Sequence, residues 1–311
     1  MTSKNGKITA FRILLLLAAL VGLYYLLPQL GAFRSTFTVL RHASWPWLVG
    51  VLVASSLSFF ASAVTQFAAG ALAGRLSDVV LLQFAGSFVN HFFPFSVGGI
   101  SLNSRYYKKL GKSQTQAITI ATIPIVFGIV TTIIMVAIVS PITLMNFFSK
   151  SKTNHVDLWL ILVLAVGIAI IMFLVLRYRQ KAGKIVQEAL SSLRSVNNGR
   201  QLALLTAGSV ALTLLSSTAL LASVEAVHAS VTLIGIFTIY VTAALVSNIA
   251  PTPDGIGATE AVLVLGLAAV KVSLPQAAAA MLIYRFFMFW LPIVPGAMAL
   301  SYINRKRISR Q

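Results

Sequence analysis

The segment NIAPTPDGIGATEA, residues 248–261, places Asp254 and Glu260 inside otherwise apolar sequence. Carboxylates within a membrane mark proton or cation relays. Residues 254 and 260 do not share a helix face, however, and Gly255 and Gly257 between them argue against continuous helix. Asp254 also reads as a plain turn or N-cap residue ahead of Gly255. Arg285, in LIYRFFMFW, lies about eleven residues into the last apolar stretch, close to its middle by helical rise. An arginine at that depth requires a partner. Its planar fork suits carboxylate or phosphate, so Glu260, Asp254 or a substrate phosphate each fit. A purely structural Arg285–Glu260 pair is the competing reading.

The backbone offers a second kind of chemistry. Asn90, Pro94, Gly98 and Gly99 in VNHFFPFSVGGISLN, and Asn248, Pro251, Gly255 and Gly257 in the later segment, interrupt helices in a setting that penalises free N–H and C=O groups. A half-helix starting after Gly98–Gly99 or near Gly255–Gly257 aims amide donors and a positive dipole end inward, a seat for an anion such as a lipid phosphate. Asn90 and Asn248 can bond the free backbone ends; the plainer alternative is a local cap. Arg105 lies where the first interrupted segment leaves the membrane. There it either reads headgroups or is an ordinary interfacial cation with Tyr106 and Tyr107 as aromatic neighbours.

Other chemistries find no support. His42, His91, His155 and His228 are scattered without metal-ligand spacing, and cysteine is absent. No phosphate-binding loop for ATP and no dinucleotide fingerprint occurs. The expectation is therefore no metal, no cofactor and no enzymatic activity of its own.

The elements that must position these residues are membrane helices. Of 311 residues, 58% are hydrophobic and only 10% charged, against about 25% charged in soluble domains. Segments 11–30, 45–69, 117–139, 158–176, 202–222 and 275–300 each approach the ~20 apolar residues that cross a bilayer. The first has a basic start but too long an apolar run and no cleavage site, so it reads as a signal anchor. The net charge of +18 follows from basic cytoplasmic loops facing anionic lipid rather than from nucleic acid. With the N-terminus inside, 18 of the 24 Lys and Arg fall on the cytoplasmic side and 5 outside, with Arg285 in the membrane. That places both termini in the cytoplasm. Residues within 178–200 read as a basic surface helix or a simple connector.

This count requires residues 76–104 and 231–270 each to enter and leave on one side. The first is too short for two crossings, so re-entrant or broken hairpins are expected. The two regions also resemble each other. Each has Asn before Pro and Gly four residues after that Pro (Asn90, Pro94, Gly98; Asn248, Pro251, Gly255). Each is followed by Ser-x-x-Gln-Ala opening an apolar helix, at Ser113–Ala117 and Ser273–Ala277. One domain over residues 1–311 follows: an all-α polytopic bundle of six spans and two broken hairpins. It is arranged as inverted repeats 45–142 and 202–302, the signature of folds that bind substrate between halves. Gly and Pro that merely ease packing are the alternative.

The run PTPDGIGATEA after an Asn, with Asn90, Pro94, Gly98, Gly99 and a basic loop ahead of LGKS, resembles the lysylphosphatidylglycerol synthase transmembrane region family, also labelled flippase-like. The resemblance spans about residues 10–302. It implies a bacterial or archaeal cytoplasmic-membrane protein that translocates a phospholipid or other anionic-headgroup lipid between leaflets. In lipid-modifying members a soluble aminoacyltransferase domain follows. The expectation here is the membrane part alone, beside a separate lipid-modifying enzyme as possible partner. The alternative is a non-transporting subunit or enzyme of lipid-linked glycan or aminoacyl-lipid synthesis. The family pattern carries Gly where Asp254 stands, which sets a carboxylate against any anion bound at that turn.

Overall fold

The computed structural model describes residues 30–93, 96–150, 198–250 and 252–308. Expected spans 11–30 and 158–176 fall outside these residues except for Leu30, as do Pro94, Pro251 and nearly all of the connector 178–200.

Among the described residues every element is helical. In chain order they are α1 (Leu30–Arg41), α2 (Trp45–Ala69), α3 (Leu76–Asn90), α4 (Val97–Lys109), α5 (Gln114–Lys150), α6 (Gly199–Ala226) and α7 (Leu233–Ile249). A short 3₁₀ turn (Pro253–Gly255), α8 (Ala258–Ala269), α9 (Leu274–Arg285), a π turn (Phe286–Trp290) and α10 (Ile293–Ile308) complete the chain. Among the described residues four stretches are long and apolar enough to cross a membrane: α2, the first part of α5, α6, and α9 through α10. Helix α1 was not anticipated; its apolar residues fall within a mixed sequence, and Val39 and Leu40 pack onto the main core.

Both expected hairpins are broken helices. Limbs α3 and α4 hold 15 and 13 residues, and α7 and α8 hold 17 and 12. At about 1.5 Å per residue each limb is shorter than the ~30 Å hydrocarbon core. The first hairpin runs on to Lys109 rather than ending at Ser104. The last span is not the continuous helix expected over 275–300. Leu291 N bonds Phe286 O at 2.7 Å, one residue beyond α-helical reach, and Pro292, which has no N–H to give, follows at once.

Helices α2 and α6 form the centre. They run antiparallel: Ser44 N bonds Ala226 O at 2.8 Å at one end, Gly50 faces Ala222, and Gly208 lies against Thr65 and Ala61 toward the other. Small residues permit this approach; a Cβ on Gly208 would overlap Thr65 Oγ1. A large apolar cluster collects one end of both helices with α7, α8 and α9. A smaller one, Ala68, Ala69, Ile123 and Leu205, joins the other end to α5. Between them lies a band of hydroxyls, most of which bond back to their own helices, as Thr65 does to Ala61 O (2.9 Å) and Thr213 to Ser209 O (3.1 Å).

The two hairpins end in similar turns. Helix α4 ends with Gly111 N bonded to Lys108 O and Lys112 N to Tyr107 O; α8 ends with Lys271 N bonded to Ala268 O and Val272 N to Leu267 O. Gly111 and Lys271 both have positive φ, 83° and 68°. Each turn leads into a Ser-x-x-Gln start. Ser113 and Gln116 form a reciprocal capping box, each backbone N–H bonding the other's side chain. Ser273 Oγ instead donates to Gln276 Oε1 at 2.7 Å.

Candidate functional site

The first break is closed by its own asparagine. Asn90 Oδ1 accepts from Gly99 N at 2.8 Å, satisfying an amide that the first turn of α4 cannot satisfy internally. Limbs α3 and α4 cross closely: a Cβ on Gly98 would collide with Val89, and one on Gly86 would come within 3.2 Å of Gly99 Cα.

The second break is built differently. Asn248 does not tie free backbone ends as expected, but donates into its own helix, to Ala244 O at 2.8 Å. Ser247, one residue earlier, closes the turn by donating from Oγ to Asp254 O at 3.2 Å. Asp254 adopts left-handed φ 46°, ψ 28°, a conformation Asp tolerates better than most residues. Gly255 and Gly257 follow at φ 68° and 89°, and a side chain on Gly255 would strike Ser247 and Thr259.

Glu260 has two tasks. Its Oε2 accepts from Gly257 N at 2.7 Å, an acidic cap on the N-terminus of α8. Its Oε1 accepts from Arg285 Nε at 2.6 Å. Arg285 is only 8% exposed. Its guanidinium lies 4.8 Å from the Phe289 ring centre, and one terminal nitrogen reaches Asp254 O at 3.5 Å. The arginine thus has the carboxylate partner its depth demands, and it secures the 254–257 turn to the last span.

Asp254 faces the first hairpin. His91 Nδ1 lies 3.8 Å from Asp254 Oδ2, 2.7 Å from Ser87 O, and His91 Nε2 lies 3.1 Å from Phe289 O of the π turn. Two adjoining cavities, about 230 and 290 Å³, open beside this contact. Ser62, Gln83, Asn90, Gly99 and Asn103 line both; Asp254 lines the first, and Asn248 and Ser96 the second. Asn103 is 5% exposed. It donates from Nδ2 to Gly99 O at 3.0 Å, while its Oδ1 and Gln83 Nε2 are buried without a hydrogen-bond partner. Native interiors rarely leave such groups unpaired; a polar ligand or water would satisfy them.

A Pro also shapes the wall. Pro124 in α5 deprives Ile120 O of its i+4 donor, and Gln66 Nε2 supplies one at 3.0 Å. Gln66 O in turn accepts from Tyr107 OH at 2.9 Å.

The family described as the lysylphosphatidylglycerol synthase TM region matches residues 10–296. This chain belongs to that family. No curated protein matches it. Membership, with the four apolar helices, makes it a multi-pass membrane protein of a family concerned with lipid-headgroup handling.

In this family member the structure gathers Asn90, Gly98, Gly99, Asp254, Gly255, Gly257, Glu260 and Arg285 at the meeting of the two breaks. Asn248 stands at the second cavity. Arg105 does not join them: it is exposed on a separate groove with Arg75, Lys108 and Lys109. Sequence reasoning missed His91, Gln83, Asn103 and Ser247. Gln83 and Asn103 had a usable signal, being amides within apolar hairpin limbs. His91 had none beyond its place next to Asn90.

Proposed function

We propose that this protein moves a phospholipid, or another amphiphile with an anionic headgroup, between the leaflets of a bacterial or archaeal cytoplasmic membrane. The headgroup passes through the polar cavities at the meeting of the two hairpins while the acyl chains stay in lipid. One observation carries this reading: Gln83 Nε2 and Asn103 Oδ1, a donor and an acceptor, are buried and unpaired on a shared cavity wall. A phosphate oxygen suits the first and a headgroup hydroxyl or amine the second.

Inverted halves supply the access from two sides. Supporting this are the antiparallel run of α2 and α6, which open the two halves, and the matching turns at Gly111 and Lys271. With both termini cytoplasmic, as the Lys and Arg distribution argues, the first hairpin enters from the cytoplasmic side and the second from outside. Arg285 and Glu260 act as positioning residues behind the cavity, and neither lines it.

The test is leaflet-specific translocation of a fluorescent phosphatidylglycerol in vesicles carrying the purified protein. Faster inward and outward movement than in protein-free vesicles is expected. Equal rates would remove the transport reading and leave that of a non-transporting subunit.

A further inference from the structure

Building on the transport reading, we propose that His91 and Asp254 form a proton-binding site that makes lipid translocation proton-coupled. The site joins three elements: His91 ends α3, Asp254 belongs to the turn between α7 and α8, and Phe289 belongs to the π turn of the last span.

The hydrogen-bond chemistry of the ring identifies the ligand. Every group at the ring nitrogens is an oxygen: Ser87 O at 2.7 Å and Asp254 Oδ2 at 3.8 Å from Nδ1, and Phe289 O at 3.1 Å from Nε2. Both carbonyls only accept, and so does a carboxylate. A neutral imidazole has one N–H and one lone pair, so either tautomer turns a lone pair toward an oxygen. With a second proton the ring donates from Nδ1 to Ser87 O and from Nε2 to Phe289 O, tying the first hairpin to the last span, and its positive charge attracts Asp254 of the second hairpin at 3.8 Å. The Phe289 ring, 3.9 Å from the imidazole centre, fixes the imidazole's plane from the side.

His91 is the cation partner that faces the Asp254 carboxylate directly. Arg285 gives its Nε to Glu260 and reaches Asp254 only at the main-chain carbonyl. Glu260 is occupied by Arg285 and Gly257 N. Among the described residues no further ion pair reaches His91 or Asp254.

Coupling follows from charge. Asp254 lines the smaller cavity with Asn90 and Asn103. When the ring is neutral, Asp254, Glu260 and Arg285 together leave the site one net negative charge facing an arriving anion. When the ring takes a proton, the pair is neutral and the repulsion is removed. Proton and anionic headgroup therefore favour each other's binding, a reciprocal linkage, and cross together in an electroneutral step of one proton per lipid.

The experiment uses the full chain in vesicles containing a fluorescent phosphatidylglycerol and an internal pH dye, with potential clamped by potassium and valinomycin. With an imposed gradient of about one pH unit, the label should accumulate on the leaflet toward which protons flow. The limiting leaflet ratio is about tenfold for one-to-one coupling, and the dye should report proton movement with the lipid. In His91→Gln and Asp254→Asn the gradient should no longer change the leaflet ratio. Translocation by the unaltered protein that ignores the gradient and carries no protons would overturn the coupling while leaving transport intact. No translocation under any gradient would overturn both.

Discussion

Arg285 Nε lies 2.6 Å from Glu260 Oε1, so the middle of the last span is tied to the first turn of the second hairpin's outgoing limb. Both ends are secured: Glu260 caps Gly257 N, and Arg285 packs on Phe289. Removing one partner leaves a poorly solvated charge, which typically costs about 3–5 kcal/mol for a buried pair. Because Glu260 is partly exposed, at 27%, the expected loss is about 2–3 kcal/mol, below that range. Glu260→Gln and Arg285→Gln should each lower the unfolding midpoint in detergent. The double variant should lose less than the two single losses combined, the coupling that a double-mutant cycle reads directly.

Gln66 and Pro124 make a similar pair across helices. Gln66→Leu strands Ile120 O, which Pro124 cannot serve, and should cost about 1–3 kcal/mol. In a Pro124→Ala background α5 regains its own N–H at that carbonyl, so the same change should cost clearly less. Thermal unfolding of the four proteins decides it; equal losses in both backgrounds would contradict the assignment.

The left-handed turn at Asp254 separates backbone from charge. Asp254→Gly keeps the conformation available and should leave the unfolding midpoint nearly unchanged. Asp254→Val forces a β-branched residue to φ 46° and should cost about 1–2 kcal/mol. If both variants unfold alike, the turn does not impose this conformation.

The proposed opposition of the two hairpins has a direct chemical readout, because the chain contains no cysteine. A single cysteine at Ser96 should react with an impermeant thiol reagent from the cytoplasmic side, and one at Thr252 from the outer side. Labelling of both from one side would contradict the inverted arrangement.

Much of this was legible in the sequence because the membrane punishes exceptions. The composition gave the class, Gly and Pro gave both breaks, and Arg285 with Glu260 announced a pair since a lone charge at that depth is costly. Asp254 was unexplained in sequence. Its left-handed backbone, at φ 46°, is one that Asp tolerates, and its carboxylate faces His91 at 3.8 Å. What escaped depends on long-range packing. Ser247 rather than Asn248 closes the second break, Asn248 bonding back to Ala244 O of its own helix. The π turn arises from Pro292 acting within a span whose hydropathy looks uninterrupted. His91 meets Phe289 from 198 residues away, a pairing no local pattern encodes.

Ser62, Gln83 and Asn103 line both cavities of the proposed headgroup route. The most direct test is a Ser62→Cys protein labelled with a bulky thiol reagent and assayed for phosphatidylglycerol translocation before and after labelling. The unlabelled protein should translocate lipid, and labelling should return the rate to that of protein-free vesicles. Undiminished translocation by fully labelled protein would contradict this route.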